Sequence, residues 1–149
     1  MSIKERLKTD MISAMKAKEK EKLDCIRFIQ AAVKKQEVDT RKDLDDQAVT
    51  SILMNLAKQR KDSIEQFRKG GREDLAVKEE GELKILQSYL PEQMSASDLE
   101  GLVAAAIKET GATGMKEMGA VVKAVMAKAA GRAEGSAISD MVKRKLSQG

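Results

Sequence analysis

The stretch RKGGREDLAVKEEGELKILQSYLP, Arg68 to Pro91, decides how this chain folds. The pair Gly70-Gly71 predicts the end of one helix, because glycine readily adopts the left-handed conformation that closes helices. A further helix is predicted over Glu73–Tyr89, with Asp74 favourably placed in its positive first turn. It should stop there, because Pro91 disfavours a helical backbone at the residue before it. The stretch therefore predicts two helices that meet at a glycine corner.

The composition favours an all-α fold for the whole chain. Ala, Leu, Lys, Glu and Met dominate its 149 residues, and there is a single proline. These five residue types are strong helix formers, and apolar residues recur at helical spacing. The pattern divides at a short linker. It predicts a four-helix N-terminal lobe, residues 1–94, and a small three-helix C-terminal lobe, residues 95–149.

Helix starts are marked by side chains that can accept hydrogen bonds from the first turn. Ser2 and Glu5 match a capping box, so the first helix should begin at residue 3. The polar run 16–22 predicts either a frayed helix end or a short joint before the second helix. Asp45 or Asp46 should cap the third helix.

The C-terminal lobe begins at one of two capping boxes, Ser95 with Asp98 or Ser97 with Glu100. Its methionines are predicted to pack in the core, and the alternative is a groove for a partner helix. These methionines are Met115, Met118, Met126 and Met141. The three helices of the lobe are expected at Asp98–Thr110, Gly114–Ala130 and Ser136–Leu146.

The sequence excludes several kinds of catalytic and metal site. It contains no histidine, so a Ser-His or Cys-His nucleophile pair cannot form. One cysteine without histidine cannot hold a structural zinc ion. Cys25 lies on an apolar helix face and is predicted to be a buried structural thiol. The glycines at 70–71 lack the spacing of a phosphate loop. We predict no catalytic residue, no metal and no cofactor.

The N-terminal sequence MSIKERLKTD is charged from Lys4 onward and does not match a secretory signal. The longest uncharged apolar run, residues 102–107, is far shorter than the roughly 18 residues that a membrane span needs. A lone cysteine agrees with a reducing compartment. These observations predict a soluble, cytoplasmic protein without membrane contact. We further expect the protein to be bacterial.

The charge is distributed in blocks, although the 28 basic and 24 acidic residues give a net charge of only +4. Lys and Arg clusters are typical of phosphate contacts, and the alternative is an ordinary solvated helix face. Because aromatic residues are few, we expect RNA to be bound through its backbone and shape. We expect no readout of DNA sequence. One cluster is Arg132, Lys143, Arg144 and Lys145. A secondary basic patch comprises Lys58, Arg60, Lys61, Arg68, Lys69 and Arg72.

Two segments carry a resemblance to a known family. KQRKDSIEQFRKGGREDLAVKEEGELKILQSYLPEQMSASDL, residues 58–99, resembles the signature stretch of the YqeY family. The family pattern is K-Q-R-x-[ED]-S-I-x-x-[FY], then [AG]-G-R-x-D-L-x-x-K-E and E-L-x-I-L-x-x-Y-L-P. EMGAVVKAVMAKAAGRAEGSAISDMVKRKL, residues 117–146, resembles its C-terminal pattern. Val122 departs from the usual Met, and Ala120 stands where Lys is common.

The YqeY family is similar to the tail domain of GatB, a subunit of the tRNA-dependent amidotransferase. The resemblance implies an all-helical, two-lobed domain that holds tRNA, while the amidase and phosphorylating chemistry belong to other parts of that enzyme. Members are associated with carbon–nitrogen ligase activity that uses glutamine as the amide donor. This sequence contains no motif for that reaction, so we expect it not to be an enzyme by itself.

The leading hypothesis is therefore a non-catalytic tRNA-binding accessory domain whose partner is tRNA or a tRNA-handling enzyme. One alternative is a protein-interaction module without an RNA role, using the acidic block Glu73–Glu82 and a methionine groove. Another alternative is a part of a carbon–nitrogen ligase. The oligomeric state stays open. The residues expected to contact tRNA are Lys123, Lys128, Arg132, Lys143, Arg144 and Lys145.

Overall fold

The computed structural model describes residues 2–148. Met1 and Gly149, the outermost residues of the predicted lobes, lie outside this range. Across the described residues the chain forms helices and no strand, so the all-α prediction is confirmed. The chain divides into two compact units, Met1–Leu90 and Pro91–Gly149.

The first unit contains four long helices whose apolar stripes enclose one core. Ser2 Oγ accepts a hydrogen bond from Glu5 N at 3.1 Å, and Ser2 N donates to the Glu5 carboxylate at 3.2 Å, so the predicted capping box is confirmed. Asp45 caps the third helix by accepting from Ala48 N at 2.9 Å. The helices are α1 (Ile3–Ala17), α2 (Lys20–Thr40), α3 (Asp46–Lys69) and α4 (Glu73–Gln87).

In the run 16–22 the structure has a short joint, which is one of the two predicted alternatives. The joint within the run 16–22 consists of two residues, because Lys18 takes a left-handed conformation with φ 58°. At the glycine corner the left-handed residue is Gly71, with φ 73°, while Gly70 keeps φ −85°.

The core lies between the four helices. Its fully buried side chains include Leu7, Ile26, Ile29, Val49, Leu53 and Leu86.

Cys25 is buried in this core, as predicted, with 3% of its surface exposed. Its thiol donates to the backbone carbonyl of Glu82 over 3.7 Å. Burial, together with the nearby Glu82 carboxylate, raises the pKa of the Cys25 thiol to about 11. A thiol with so high a pKa stays protonated at neutral pH, which suits a structural role.

The second unit is a bundle of three helices with its own core. Ser95 Oγ accepts from Asp98 N at 3.1 Å, so Ser95 is the N-cap and the Ser95 half of the first predicted capping box forms. A 3₁₀ turn, Met115–Glu117, precedes the middle helix, which had been predicted as one piece from Gly114. The helices are α5 (Ala96–Thr110), α6 (Met118–Ala129) and α7 (Gly135–Gln148).

Two of the predicted core methionines are exposed. Met115 is 45% exposed and Met126 is 51% exposed, so their predicted burial is wrong. The buried residues of α6 are Val121, Val125 and Ala129, which recur every four positions and form one face of the helix. Met126 lies on a different side of the helix from this face, so it is exposed. Met118 and Met141 pack against the edge of the core as partly buried residues.

No helix among residues 2–148 combines the length and the apolar character that crossing a bilayer requires.

Candidate nucleic-acid interface

The candidate phosphate contacts in the second unit project from α6 and α7. Lys123 is exposed on α6, and Lys143 and Arg144 are exposed on α7. The buried residues of each helix recur at every fourth position and form one stripe. These three side chains lie outside that stripe. Within residues 2–148, neither Lys123 nor Lys143 has a carboxylate within ion-pair distance. Arg144 points one guanidinium nitrogen at the Met141 sulfur, 2.9 Å away.

Two other predicted contacts are ion-paired along the edges of the bundle. Lys128 of α6 pairs with Glu109, and Lys145 of α7 pairs with Glu100. The hydrogen bond from Lys145 lowers the pKa of the Glu100 carboxyl below its ordinary value. Both pairs are partly exposed, so replacing the glutamate by another anion costs little free energy. A phosphate at either lysine therefore competes with an existing glutamate partner.

Arg132 has a structural position in the loop between α6 and α7. Its Nε donates to the backbone carbonyl of Glu92 at 2.9 Å, and its own carbonyl accepts from Met94 N at 2.7 Å. Gln93 reinforces the contact through a 3.1 Å hydrogen bond to the Gly131 carbonyl. Arg132 thus fastens the segment that enters the unit, and the residue itself is exposed.

The secondary basic patch has different surroundings, and Arg60 is its clearest case. One Arg60 nitrogen lies 2.8 Å from Glu79 and 2.7 Å from Glu82, and the guanidinium stacks over the Phe28 ring at 4.9 Å. The Arg60 and Glu82 side chains are only about one-fifth exposed, at 19% and 18%. Desolvation raises the pKa of the Glu82 carboxyl, and Arg60 partly opposes that effect.

Most other cations of this patch are also paired. Arg68 contacts Glu73 at 3.2 Å and a second carboxylate, that of Glu80. The remaining pairs are Lys69 with Glu65 at 3.0 Å and Arg72 with Asp74 at 3.2 Å. The hydrogen bond from Arg72 lowers the pKa of Asp74. Lys58 and Lys61 are exposed.

The acidic block Glu73–Glu82 is therefore largely neutralised inside its own unit. Its glutamates face the arginines of α3 across the glycine corner, which brings oppositely charged blocks of the sequence together. Charge on α3 and α4 therefore contributes to holding the two helices together.

Sequence reasoning missed two features of the second unit. Lys116, in the 3₁₀ turn, is exposed and has no ion pair within the described part of the chain. Glu100 and Glu109 act as partners from α5, which spacing could not reveal because they lie on a different helix. Within residues 2–148 there is also no group of three acidic or thiol side chains arranged to hold a metal ion.

Comparison with known proteins gives a consistent family match. The family model described as Yqey-like protein matches residues 4–146. The protein named altered inheritance of mitochondria protein 41, mitochondrial, of Lachancea thermotolerans is 41% identical over 63% of this chain and 51% of its own length. The protein of the same name from Pyrenophora tritici-repentis is 35% identical over 86% of this chain and 71% of its own length.

The chain spans about half the length of the first curated relatives that it matches; for the Kluyveromyces lactis protein the share is 45%. These relatives are fungal and carry mitochondrial names, so the prediction of a cytoplasmic, bacterial protein is wrong. A lone cysteine indicates a reducing compartment, and it does not distinguish one such compartment from another.

Proposed function

The chain belongs to the YqeY-like family, and from that premise we propose that it is a non-catalytic tRNA-binding accessory domain. In this proposal the four-helix N-terminal lobe is a scaffold and the three-helix C-terminal lobe contacts the RNA. Its partner is tRNA, or tRNA held by an enzyme that handles it. The observation that carries the proposal is the set of exposed, unpaired cations on α6 and α7.

The chemistry of those cations suits a phosphate backbone. A lysine that has no carboxylate partner binds a phosphate without first breaking an ion pair, which favours Lys123 and Lys143 over Lys128 and Lys145. The long aliphatic stems of lysines on a helix face can follow an irregular surface. Because the unit lacks aromatic platforms among its described residues, recognition rests on backbone and shape. Binding of that kind weakens steeply with salt.

The cations that are already ion-paired contribute less to the proposed interface. Lys128 and Lys145 can exchange Glu109 and Glu100 for phosphates at the edges of the surface. Arg132 contributes mainly by holding the segment at Glu92 and Met94, so its loss would act through local structure. The secondary patch on α3 contributes little in this proposal, because its arginines are already paired with α4.

The test is the affinity for bulk tRNA as a function of salt, with two charge-matched double variants. Lys123→Glu with Lys143→Glu removes the proposed contacts. Lys8→Glu with Lys34→Glu makes the same change of charge on α1 and α2 of the first unit. All four lysines are exposed on helices, so circular dichroism should show both variants folded.

We expect the first variant to bind at least about tenfold more weakly and to lower the salt slope by roughly two phosphates, with the second variant close to wild type. Equal losses in both variants would mean that only net charge matters. A salt-independent affinity, or no loss in the first variant, would overturn the proposal.

A further inference from the structure

A groove between α1 and α2 has a composition that suggests a binding surface. Its volume is about 500 Å³. Leu7 and Val33 form its buried floor, with 1% and 4% of their surfaces exposed. Lysines stand along its rim. The lining residues are Lys4, Glu5, Leu7, Lys8, Met11, Gln30, Val33, Lys34 and Glu37.

The apolar character of the groove continues along α1 beyond its lining. Ile12 is 42% exposed and Met15 is 50% exposed. Met15 follows Met11 by one helical turn and Ile12 follows Lys8 by one turn, so both lie on the same side of α1 as the groove. Single exposed apolar residues are ordinary, but a stripe beside an apolar groove indicates a surface that a partner covers. Methionine side chains adapt readily to different partners.

The rim is positive because three lysines, Lys4, Lys8 and Lys34, outnumber two glutamates, Glu5 and Glu37. Glu37 accepts from Lys4 at 2.6 Å and from Leu44 N at 2.9 Å. Glu5 folds back to cap its own helix. Within residues 2–148, Lys8 and Lys34 have no carboxylate within ion-pair distance. The rim therefore presents two lysines that form no ion pair, one on either side of an apolar floor.

We propose that the α1–α2 groove is a docking site for an acidic amphipathic helix of a protein partner. The Lys4–Glu37 contact joins the start of α1 to the end of α2, so the two helices are antiparallel. A third helix packs naturally into the furrow between two antiparallel helices. The surface from Lys4 to Met15 is about 17 Å long, which matches three turns of a partner helix. Leucines would cover the floor, and glutamates would face Lys8 and Lys34.

Other occupants fit less well. RNA would leave the apolar floor of Leu7 and Val33 without a matching surface, because its outside is polyanionic. A second copy of this chain would bring Lys8 and Lys34 against like charges, which opposes association through this face. An extended peptide would find no strand edge in the described first unit to pair with. The proposal does not depend on RNA binding by the second unit.

The test uses the full chain and a synthetic acetylated peptide of about 14 residues, or roughly four helical turns. Leucine occupies one stripe of the peptide and glutamate its flanks. A second peptide carries lysine in place of every glutamate, and a third scrambles the stripe. Nuclear magnetic resonance titration of the amide signals locates each binding event and yields its affinity.

We expect the acidic peptide to shift signals of α1 and α2, and neither control peptide to do so. Lys8→Glu with Lys34→Glu should weaken binding at least about fivefold, while Lys123→Glu with Lys143→Glu should leave it unchanged. Met15→Ser should weaken it about threefold through lost apolar contact. The proposal would be overturned if the basic peptide bound equally well or if the acidic peptide shifted signals outside α1 and α2. It would also be overturned if tRNA, and not the acidic peptide, shifted the signals of α1 and α2.

Discussion

The basic residues of α3 and those of α6 and α7 are similar in the sequence and different in the fold. On α3 the arginines Arg60 and Arg68 are each bound to two glutamates of α4. On α6 and α7, Lys123 and Lys143 point to solvent from helices whose buried faces are purely apolar. The comparison teaches that the fold, and not the density of charge in the sequence, decides which cations of a basic block are left without carboxylate partners.

The strongest test of this comparison is Arg60→Gln. The change leaves Glu79 and Glu82 close together, with little solvent and no cation between them, so we expect a loss of about 2–3 kcal/mol in the free energy of unfolding. Urea denaturation of the full chain measures it. Lys58→Gln, two residues earlier on an exposed position of α3, should stay within about 0.5 kcal/mol of wild type. A loss no larger than that of the control would show that Arg60 is not needed to hold α4.

The same variant should change the dependence of stability on pH. Burial holds the pKa of Glu82 above its ordinary value of 4.5, and Arg60 counteracts this. A carboxyl with a raised folded pKa stabilises the fold fully below its unfolded pKa, and that contribution is lost as the pH rises through the folded pKa. Without Arg60 the folded pKa rises further, and the loss extends to higher pH.

We therefore expect the deficit of Arg60→Gln to be larger near about pH 7 than near about pH 5. Urea denaturation of wild type and variant at both values measures the difference. A deficit that grows toward acid pH would contradict the assignment of Glu82 as the carboxylate that Arg60 compensates.

We expect a smaller change in stability from substitutions in the loops of the two units. Gly71 has φ 73° in the first unit, and Ala130 has φ 46° in the second. Gly71→Ala should cost roughly 1 kcal/mol, because a Cβ is strained in the left-handed region. Ala130→Gly should gain up to about 1 kcal/mol for the same reason, reduced by the greater entropy of glycine in the unfolded chain. Thermal and urea unfolding of both variants should give opposite signs; equal signs would contradict the backbone explanation.

The smallest expected effect is that of Lys145→Gln, which breaks the pair with Glu100 on the second unit. The hydrogen bond from Lys145 lowers the folded pKa of Glu100, so its contribution is present above the ordinary value of 4.5 and is lost as the pH falls through the lowered folded pKa. The variant should be slightly less stable at neutral pH and equal to wild type in acid. Paired denaturation curves at high salt should also coincide. A pH-independent loss would indicate a packing role for the lysine stem.

Helix positions were largely predictable because their signals are local. Ser2 with Glu5, Asp45, and Ser95 with Asp98 mark helix starts through hydrogen bonds spanning three residues. The burial of Cys25 followed from its position on an apolar helix face. The 3₁₀ turn before Met118 was not predictable, since a glycine and three helix-compatible residues do not distinguish the two helix types.

The candidate interface was only partly predictable from the sequence. Charge identified the cations, yet Arg60 and Arg68 look as available in the sequence as Lys123 and Lys143. Their glutamate partners lie on a neighbouring helix, and nothing in the spacing of α3 itself reveals them. The groove with Lys8 and Lys34 was missed because its two walls are separated by more than twenty residues.

By itself the sequence determined the helical class, the capped helix starts, the family and the lack of histidine chemistry. Each of these depends on residue types or on contacts within a few positions. Only the tertiary structure decided which charges are paired, which methionines are exposed and where α1 and α2 leave an apolar groove. Those outcomes depend on which helix faces meet, and that choice is made by burying apolar area between elements that are distant in the chain.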